Sequence, residues 1–112
     1  MSEETKININ ELAGFQRKYL RGLAHGFKPI VQVGKGGITD SVILAIEQGL
    51  WDHELIKVRL IRPEDKKGAA KELAERSRAE LCGLVGHMVV LYRSNPEKPV
   101  IKLPKRKSPP SP

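Results

Sequence analysis

The sequence predicts an α/β fold, a two-layer sandwich in which a four-stranded mixed sheet packs against three helices. Three observations predict it. Apolar residues repeat with helical and strand periods in the order α-β-α-β-α-β-β. Two consecutive strand–helix–strand units imply right-handed crossovers, which place their helices on the same face of the sheet. The length of 112 residues is that of a single domain.

Short segments flank the predicted domain, which spans residues 10–104. Residues 1–9 are polar and are predicted to form a flexible N-terminus. Residues 105–112 read KRKSPPSP. This basic, proline-rich tail cannot form a helix or a central strand, so it is predicted to be disordered.

The first helix is predicted to begin after Asn10, a good N-cap, and to end at Gly26, a residue suited to a C-terminal stop. One arc of this helix is apolar and is predicted to face the core; it comprises Leu12, Phe15, Tyr19, Leu20 and Leu23. The opposite arc is predicted to face solvent and carries Arg17, Lys18, Arg21 and His25. The helix therefore presents an unbalanced basic face.

The middle of the chain predicts a strand, a helix and a second strand. Pro29–Val33 is a β-branched run typical of a short buried strand. After a glycine-rich loop, Thr39 or Asp40 caps a helix that continues to Leu50. Residues 54–62 then alternate between two faces. The packed face is predicted to hold Ile56, Val58 and Leu60, and the partly wet face Lys57, Arg59 and Ile61.

The last third of the chain predicts a helix followed by two strands. The helix starts near Pro63 and ends before Gly83, with an inner stripe of Ala70, Leu73, Ala74, Ser77 and Leu81. His87–Arg93 alternates as a strand. Pro99–Leu103 is predicted to be a short last strand, placed at an edge of the sheet because it begins with proline.

The charge of the chain favours a polyanionic partner. The net charge is +7, of which the tail carries +3 and the first ten residues −1, so residues 11–104 carry +5. A basic domain of this size most often binds nucleic acid. No apolar run reaches the roughly 20 residues of a membrane-spanning helix, and no apolar stretch follows the acidic start Met1–Glu4 as in a secretory signal. A cytoplasmic protein that binds no membrane is expected.

Neither a disulfide framework nor a catalytic centre is predicted. A single cysteine, Cys82, excludes an intramolecular disulfide and a cysteine-only zinc site, and its apolar neighbours predict a buried structural thiol. His25, His53 and His87 lie on different elements with no pair at metal-ligand spacing. We expect no enzyme activity, no catalytic residues, no metal and no cofactor, and a monomer.

The glycine-rich loop Gly34-Lys35-Gly36-Gly37 lies between a predicted strand and a helix start. Glycines let a ligand approach the backbone closely, and a helix N-terminus offers unpaired N–H groups, so this loop can hold a phosphate. It lacks the GxxxxGK[ST] string of a P-loop. It also reads Gly34-x-Gly36-x-x-Thr39 and so lacks the third glycine of the dinucleotide fingerprint. A phosphate of a polymer fits better than a small nucleotide.

Several segments together resemble the CRM domain (chloroplast RNA splicing and ribosome maturation), in the stand-alone form of the bacterial YhbY-type proteins. They are Tyr19–His25, Pro29–Gly37, His53–Val58, Val90–Arg93 and Leu103–Pro104. The resemblance covers about residues 11–104. It implies an RNA-binding domain similar in fold to the C-terminal domain of translation initiation factor 3, and association with precursors of the large ribosomal subunit. It further implies RNA binding by a GxxG loop, here Gly34–Gly37, and by nearby basic residues.

The sequence therefore favours a ribosome-assembly factor that binds precursor rRNA. The expected contacts are the loop residues Gly34, Lys35, Gly36 and Gly37, the helix residues Arg17, Lys18 and Arg21, and further cations at Lys28, Lys57 and Arg59. Two alternatives stay open. One is a generic nucleic-acid-binding module that shares only the charge. The other is a small nucleotide-binding enzyme or regulator built on the glycine loop.

Overall fold

A computed structural model of the chain describes residues 12–104. They form helices α1 (Gly14–Ala24), α2 (Asp40–His53) and α3 (Lys66–Ser77) and strands β1 (Val31–Val33), β2 (Leu55–Leu60), β3 (Glu80–Val85) and β4 (Met88–Tyr92). The element order is the predicted α-β-α-β-α-β-β. The predictions made for residues 1–9, for Asn10 as N-cap and for the tail 105–112 lie outside the described residues.

The four strands form one mixed sheet in the order β1-β2-β4-β3. Strands β1 and β2 are parallel, and β4 runs antiparallel to both of its neighbours. Strands β2 and β3 are therefore parallel to each other, with β4 between them. The predicted fold class, an α/β domain with three helices and a four-stranded mixed sheet, is confirmed.

The first face of the sheet is covered by the two crossover helices, α2 and α3. Their apolar residues Ile43, Ile46 and Leu73 pack in one cluster with the predicted inner residues of β2. Those strand residues, Ile56, Val58 and Leu60, are all at most 2% exposed. The prediction that both helices lie on one face is confirmed. Thr39 caps α2 as predicted, because its side-chain oxygen accepts the Val42 N–H.

The second face of the sheet is partly covered by α1. Leu20 and Ala24 of this helix pack with Leu55, Val90 and Tyr92, and the segment after β4 adds Ile101 and Leu103 to the same cluster. This placement adds a partial third layer to the predicted two. Within residues 12–104, no further helix or strand covers the rest of the second face.

The predicted orientation of the first helix is confirmed for the buried Leu12 and Leu20 and for the exposed Lys18, Arg21 and His25, but it is wrong for three apolar residues. Its large apolar residues Phe15, Tyr19 and Leu23 are 43%, 41% and 38% exposed, whereas Leu20 and Ala24 are fully buried. The stem of Arg21 lies so close to Gly83 that a Cβ added there would clash with Cδ of Arg21. The missing Cβ of Gly83 on β3 leaves room for the stem of Arg21, although Arg21 itself is exposed. The helix also begins at Gly14, later than predicted.

The predicted end of the third helix is wrong as well. Helix α3 ends at Ser77, because Arg78 adopts a left-handed conformation with φ 57°. Leu81 and Cys82, predicted to be helical, belong to β3. Where the residue that ends an α-helix adopts a left-handed backbone conformation, that residue is usually glycine. Arg78 gives no such signal, so the helical pattern continued falsely to Gly83. The helix also starts later than Pro63, at Lys66, with Asp65 as its N-cap.

Residues 99–103, predicted as the last strand, form no strand. The backbone N–H groups of Val100 and Ile101 donate to Oε1 of Glu54 at 2.8 and 2.6 Å. The N–H of Asn95 donates to Oε2 of the same side chain at 2.6 Å. The backbone N–H groups that a neighbouring strand would otherwise accept are therefore accepted by a buried carboxylate. We call residues 94–104 the C-terminal strap.

Candidate nucleic-acid interface

The glycine loop forms a tight turn directly after β1. The N–H of Gly37 donates to the carbonyl of Gly34 at 2.9 Å, and Gly37 has φ +77°. Gly34 and Gly36 have no left-handed φ, and a Cβ at either would meet nothing within 4 Å. Within the loop the backbone conformation thus demands glycine at Gly37 alone. Bare backbone at Gly34 and Gly36 instead leaves room for a ligand to approach the N–H groups.

A cleft of about 930 Å³ separates the loop from the segment that connects β2 to α3. Lys35 and Arg62, both exposed, lie on its two sides. Arg62 has a left-handed φ of 49°, and such backbone conformations in a non-glycine residue cluster at functional sites. Sequence reasoning missed Arg62, because it read the residue as the end of a strand.

Acidic residues also line this cleft, and two of them are already engaged. Asp65 accepts the Gly68 N–H as the cap of α3, at 3.0 Å. Glu72 pairs with Arg76 at 3.3 Å. Arg76 also pairs with Asp40 in the first turn of α2, at 3.1 Å. Because Asp40 supplies a negative charge to that helix N-terminus, an incoming phosphate is left to the loop N–H groups and Lys35.

An open row of side chains lies on the second face of the sheet, next to the loop. Register pairs Gln32 with Arg59, Arg59 with Met88, and Met88 with Val85. With about 4.8 Å between strands, the row extends about 14 Å. Gln32 and Arg59 are exposed, and Gln32 lies only two residues before the loop. The structure therefore brings Arg59 to the loop end of the sheet, on the wet face where it was predicted.

Comparison with known proteins identifies the family. A family model described as the CRS1 / YhbY (CRM) domain matches residues 12–93. The chain belongs to this family. The resemblance inferred from the sequence motifs is thereby confirmed.

Relatives of this CRM domain span nearly the same length. The chain is 42% identical over 95 residues to the "Probable RNA-binding protein YqeI" of Bacillus subtilis, with 83% of this chain and 99% of the relative covered. It is 37% identical over 100 residues to an "RNA-binding protein" of Haemophilus influenzae, with 88% and 100% covered. The solution structure of a hypothetical Staphylococcus aureus protein, proposed to bind RNA, matches with a TM-score of 0.73 at 45% identity, covering 83% of this chain and 99% of that chain.

Two of the predicted cations on α1 of the CRM domain donate hydrogen bonds to backbone carbonyls of the same chain. Arg17 donates to the Leu12 carbonyl at 2.6 Å, and Arg21 to the Cys82 carbonyl at 2.7 Å. Arg21 thus contacts β3, whereas the loop follows β1, at the opposite edge of the sheet. The structure does not bring Arg21 to the loop. Lys18 is exposed on the same helix, and the RNA contacts of all three remain predictions.

The other two predicted cations lie at the far end of β1 from the loop. Nζ of Lys57 donates to the carbonyls of His25 and Phe27 at 3.1 and 3.2 Å, which fixes it beneath the end of α1. Lys28 is exposed in the connection between α1 and β1. The ten predicted contact residues thus form three groups. One comprises the glycine loop and Arg59 at one end of β1, the second comprises Lys28 and Lys57 at the other end, and the third lies on α1.

The thiol of Cys82 is buried on β3, as its apolar surroundings predict. Burial, reinforced by the charge of Glu80, raises its pKa from 9.0 to about 12, although Arg17 and Arg21 oppose the shift. At neutral pH we expect the folded protein to react with a disulfide reagent far more slowly than the protein unfolded in guanidinium chloride, because the thiolate is the nucleophile. Equal rates would contradict this burial.

The raised pKa of Cys82 also predicts how stability changes with pH. The folded state holds the proton more tightly than the unfolded state, so this contribution to stability is complete below pH 9.0 and declines as the pH rises towards about 12. Urea unfolding across this alkaline range, compared with Cys82→Ala, measures it. The free energy of unfolding should fall less steeply with rising pH in Cys82→Ala than in the wild-type protein.

Two further properties concern the described residues, 12–104. They contain no group of three or more His, Cys, Asp or Glu side chains that could hold a metal ion. None of their helices is long and apolar enough to cross a membrane.

Proposed function

We propose that this protein binds RNA and acts as a ribosome-assembly factor on precursor rRNA of the large subunit. The observation that carries the proposal is the loop Gly34–Gly37, whose bare backbone flanks the exposed Lys35 and follows Gln32, the register partner of Arg59, by two residues. The names of its relatives as RNA-binding proteins support the same ligand. The proposal assigns the protein to the cytoplasm, as a monomer without catalytic activity.

In the proposed mechanism, loop N–H groups hold one RNA phosphate and the surrounding cations follow the backbone. Lys35 sits at the tip of the loop, with Arg59 on the sheet and Arg62 across the cleft. Such contacts release counterions and provide affinity without reading sequence. Selectivity for one RNA would therefore come from its shape or from its unpaired bases.

Sucrose-gradient fractionation of a cell extract tests the assembly role. We expect the protein to sediment with free large subunits or their precursors and to be absent from translating ribosomes. Recovery only in the low-mass fractions would contradict the role.

Competition between RNA and DNA of the same sequence tests the ligand, since a generic nucleic-acid-binding module would bind both equally.

Arg59→Ala tests whether the open row contacts phosphate. A phosphate contact contributes about 0.7 to 0.9 to the slope of log affinity against log salt. We expect Arg59→Ala to lower that slope by about one contact, measured by RNA titration at several salt concentrations. Lys71→Ala is the matched control, since this exposed cation lies on α3, over the first face. An equal slope in both variants would remove Arg59 from the interface.

A further inference from the structure

A second cavity, of about 390 Å³, lies at the far end of β1 from the glycine loop. Its walls are apolar and consist of Phe27, Ile30, Ile56, Val100 and Ile101, and its rim carries Lys28, His53 and Lys57. Three of the wall residues, Phe27, Ile30 and Val100, are 39%, 50% and 54% exposed. Large apolar side chains that converge on one open pocket indicate a binding site.

We propose that this pocket binds one unpaired nucleobase of the RNA strand held by the glycine loop, an inference that rests on the proposed function. A base is flat and apolar on its faces, and it can stack on the Phe27 ring. The phosphates on either side of it are anionic, and the described residues that line the pocket include two lysines and no acid. An apolar side chain of a protein carries no negative charge that would pair with these two lysines.

The pocket is built before any ligand arrives. The N–H groups of Val100 and Ile101 are fastened to the buried Glu54 carboxylate, which fixes one wall. Two of the three Nζ–H donors of Lys57 are used by backbone carbonyls within the described chain, so the ammonium is held in place with one donor left for a phosphate. Preformed walls and a fixed cation reduce the entropy lost on binding.

The pocket also lies within reach of a strand held at the loop. Ile30 precedes Gly34 by four residues, which is about 13 Å of extended chain. A nucleic-acid strand advances about 3.4 Å per stacked nucleotide, so four nucleotides or fewer cover the distance. Strand β1 is at the edge of the sheet, and no other strand of residues 12–104 pairs with its outer side.

The test compares two RNAs of equal charge, an adenylate decamer and a decamer of abasic ribose phosphates. We expect the wild-type protein to bind the adenylate decamer about 5- to 150-fold more tightly, the range that stacking of one base on an aromatic ring provides. Phe27→Ala should remove most of this ratio and leave affinity for the abasic decamer unchanged. Leu44→Ala is the control, because Leu44 is 66% exposed on α2, outside the pocket; it should keep the wild-type ratio.

A second pocket variant guards against misfolding of the first. Val100→Asp places a carboxylate at an exposed wall position and should weaken binding of the adenylate decamer in a folded protein. Equal wild-type affinity for the two RNAs would overturn the pocket and leave the proposed function standing, whereas failure of both RNAs to bind would overturn the two together. An unchanged ratio in Phe27→Ala would also overturn the pocket, and would leave an apolar segment of a partner protein as its occupant.

Discussion

Glu54→Ala is expected to cause the largest loss of stability of any single substitution proposed for this protein. Glu54 is 2% exposed, and its carboxylate accepts the backbone N–H groups of Asn95, Val100 and Ile101. The N–H of Asn95 is buried and those of Val100 and Ile101 are partly buried, and a buried N–H left without an acceptor costs about 1–3 kcal/mol. We expect the free energy of unfolding, measured in urea, to fall by roughly 3 kcal/mol or more, against a typical total of about 5–15 kcal/mol.

Two further variants separate this hydrogen-bonding role from a general effect of removing a carboxylate. Glu75→Ala removes an exposed carboxylate from α3, where substitutions usually change stability by no more than about 0.5 kcal/mol. Glu54→Gln keeps one acceptor oxygen and places an NH₂ group against a donor, so its loss should be intermediate. Equal unfolding midpoints for Glu54→Ala and Glu75→Ala would show that the C-terminal strap does not depend on this carboxylate.

Features that repeat along the chain could be predicted from the sequence. From Ile56 onward strand β2 alternates, so the packing of Ile56, Val58 and Leu60 and the exposure of Arg59 follow from the period of two. Thr39 precedes an apolar helical run and caps it as its hydroxyl allows. The position of α2 and α3 on one face follows from the handedness of crossovers. Each of these three features follows from the order and spacing of residues along one stretch of the chain.

Features that depend on distant partners could not be predicted. The strap bonds to Glu54, which lies 46 and 47 residues away from Val100 and Ile101. The orientation of α1 depends on the sheet and strap residues that pack against Leu20 and Ala24. Periodicity shows that a helix has an apolar arc, but it does not show how much of that arc distant residues cover.

The candidate site shows the same division. The loop Gly34–Gly37 was found from its residues, because a glycine-rich turn between strand and helix is a local pattern. Arg17 and Arg21 were assigned to the site from their charge, their predicted solvent-facing arc and the family resemblance, none of which reveals that both side chains bond to backbone carbonyls. Arg62 was missed, because only the fold brings it across the cleft from Lys35.

Gly36→Asp is expected to cause the largest loss of RNA affinity. It places a carboxylate at the position where the loop is proposed to hold a phosphate, so it both repels the ligand and competes for the N–H groups. A charge-assisted hydrogen bond is worth about 1.5–3 kcal/mol, which corresponds to a dissociation constant about 10- to 150-fold larger. Equilibrium titration with a fragment of large-subunit precursor rRNA measures it.

The structure makes this substitution a clean test, because the fold does not require glycine at Gly36. An added Cβ meets nothing within 4 Å and φ is not left-handed, so the thermal midpoint should be unchanged or slightly raised. Gly36→Ala adds the Cβ without the charge and should lose less affinity than Gly36→Asp. Ala45→Glu adds the charge on an exposed position of α2 and should bind nearly as wild type. If a folded Gly36→Asp variant bound RNA as tightly as Ala45→Glu, the loop would not be the phosphate clamp, and the cations of the sheet and of α1 would have to carry the affinity without it.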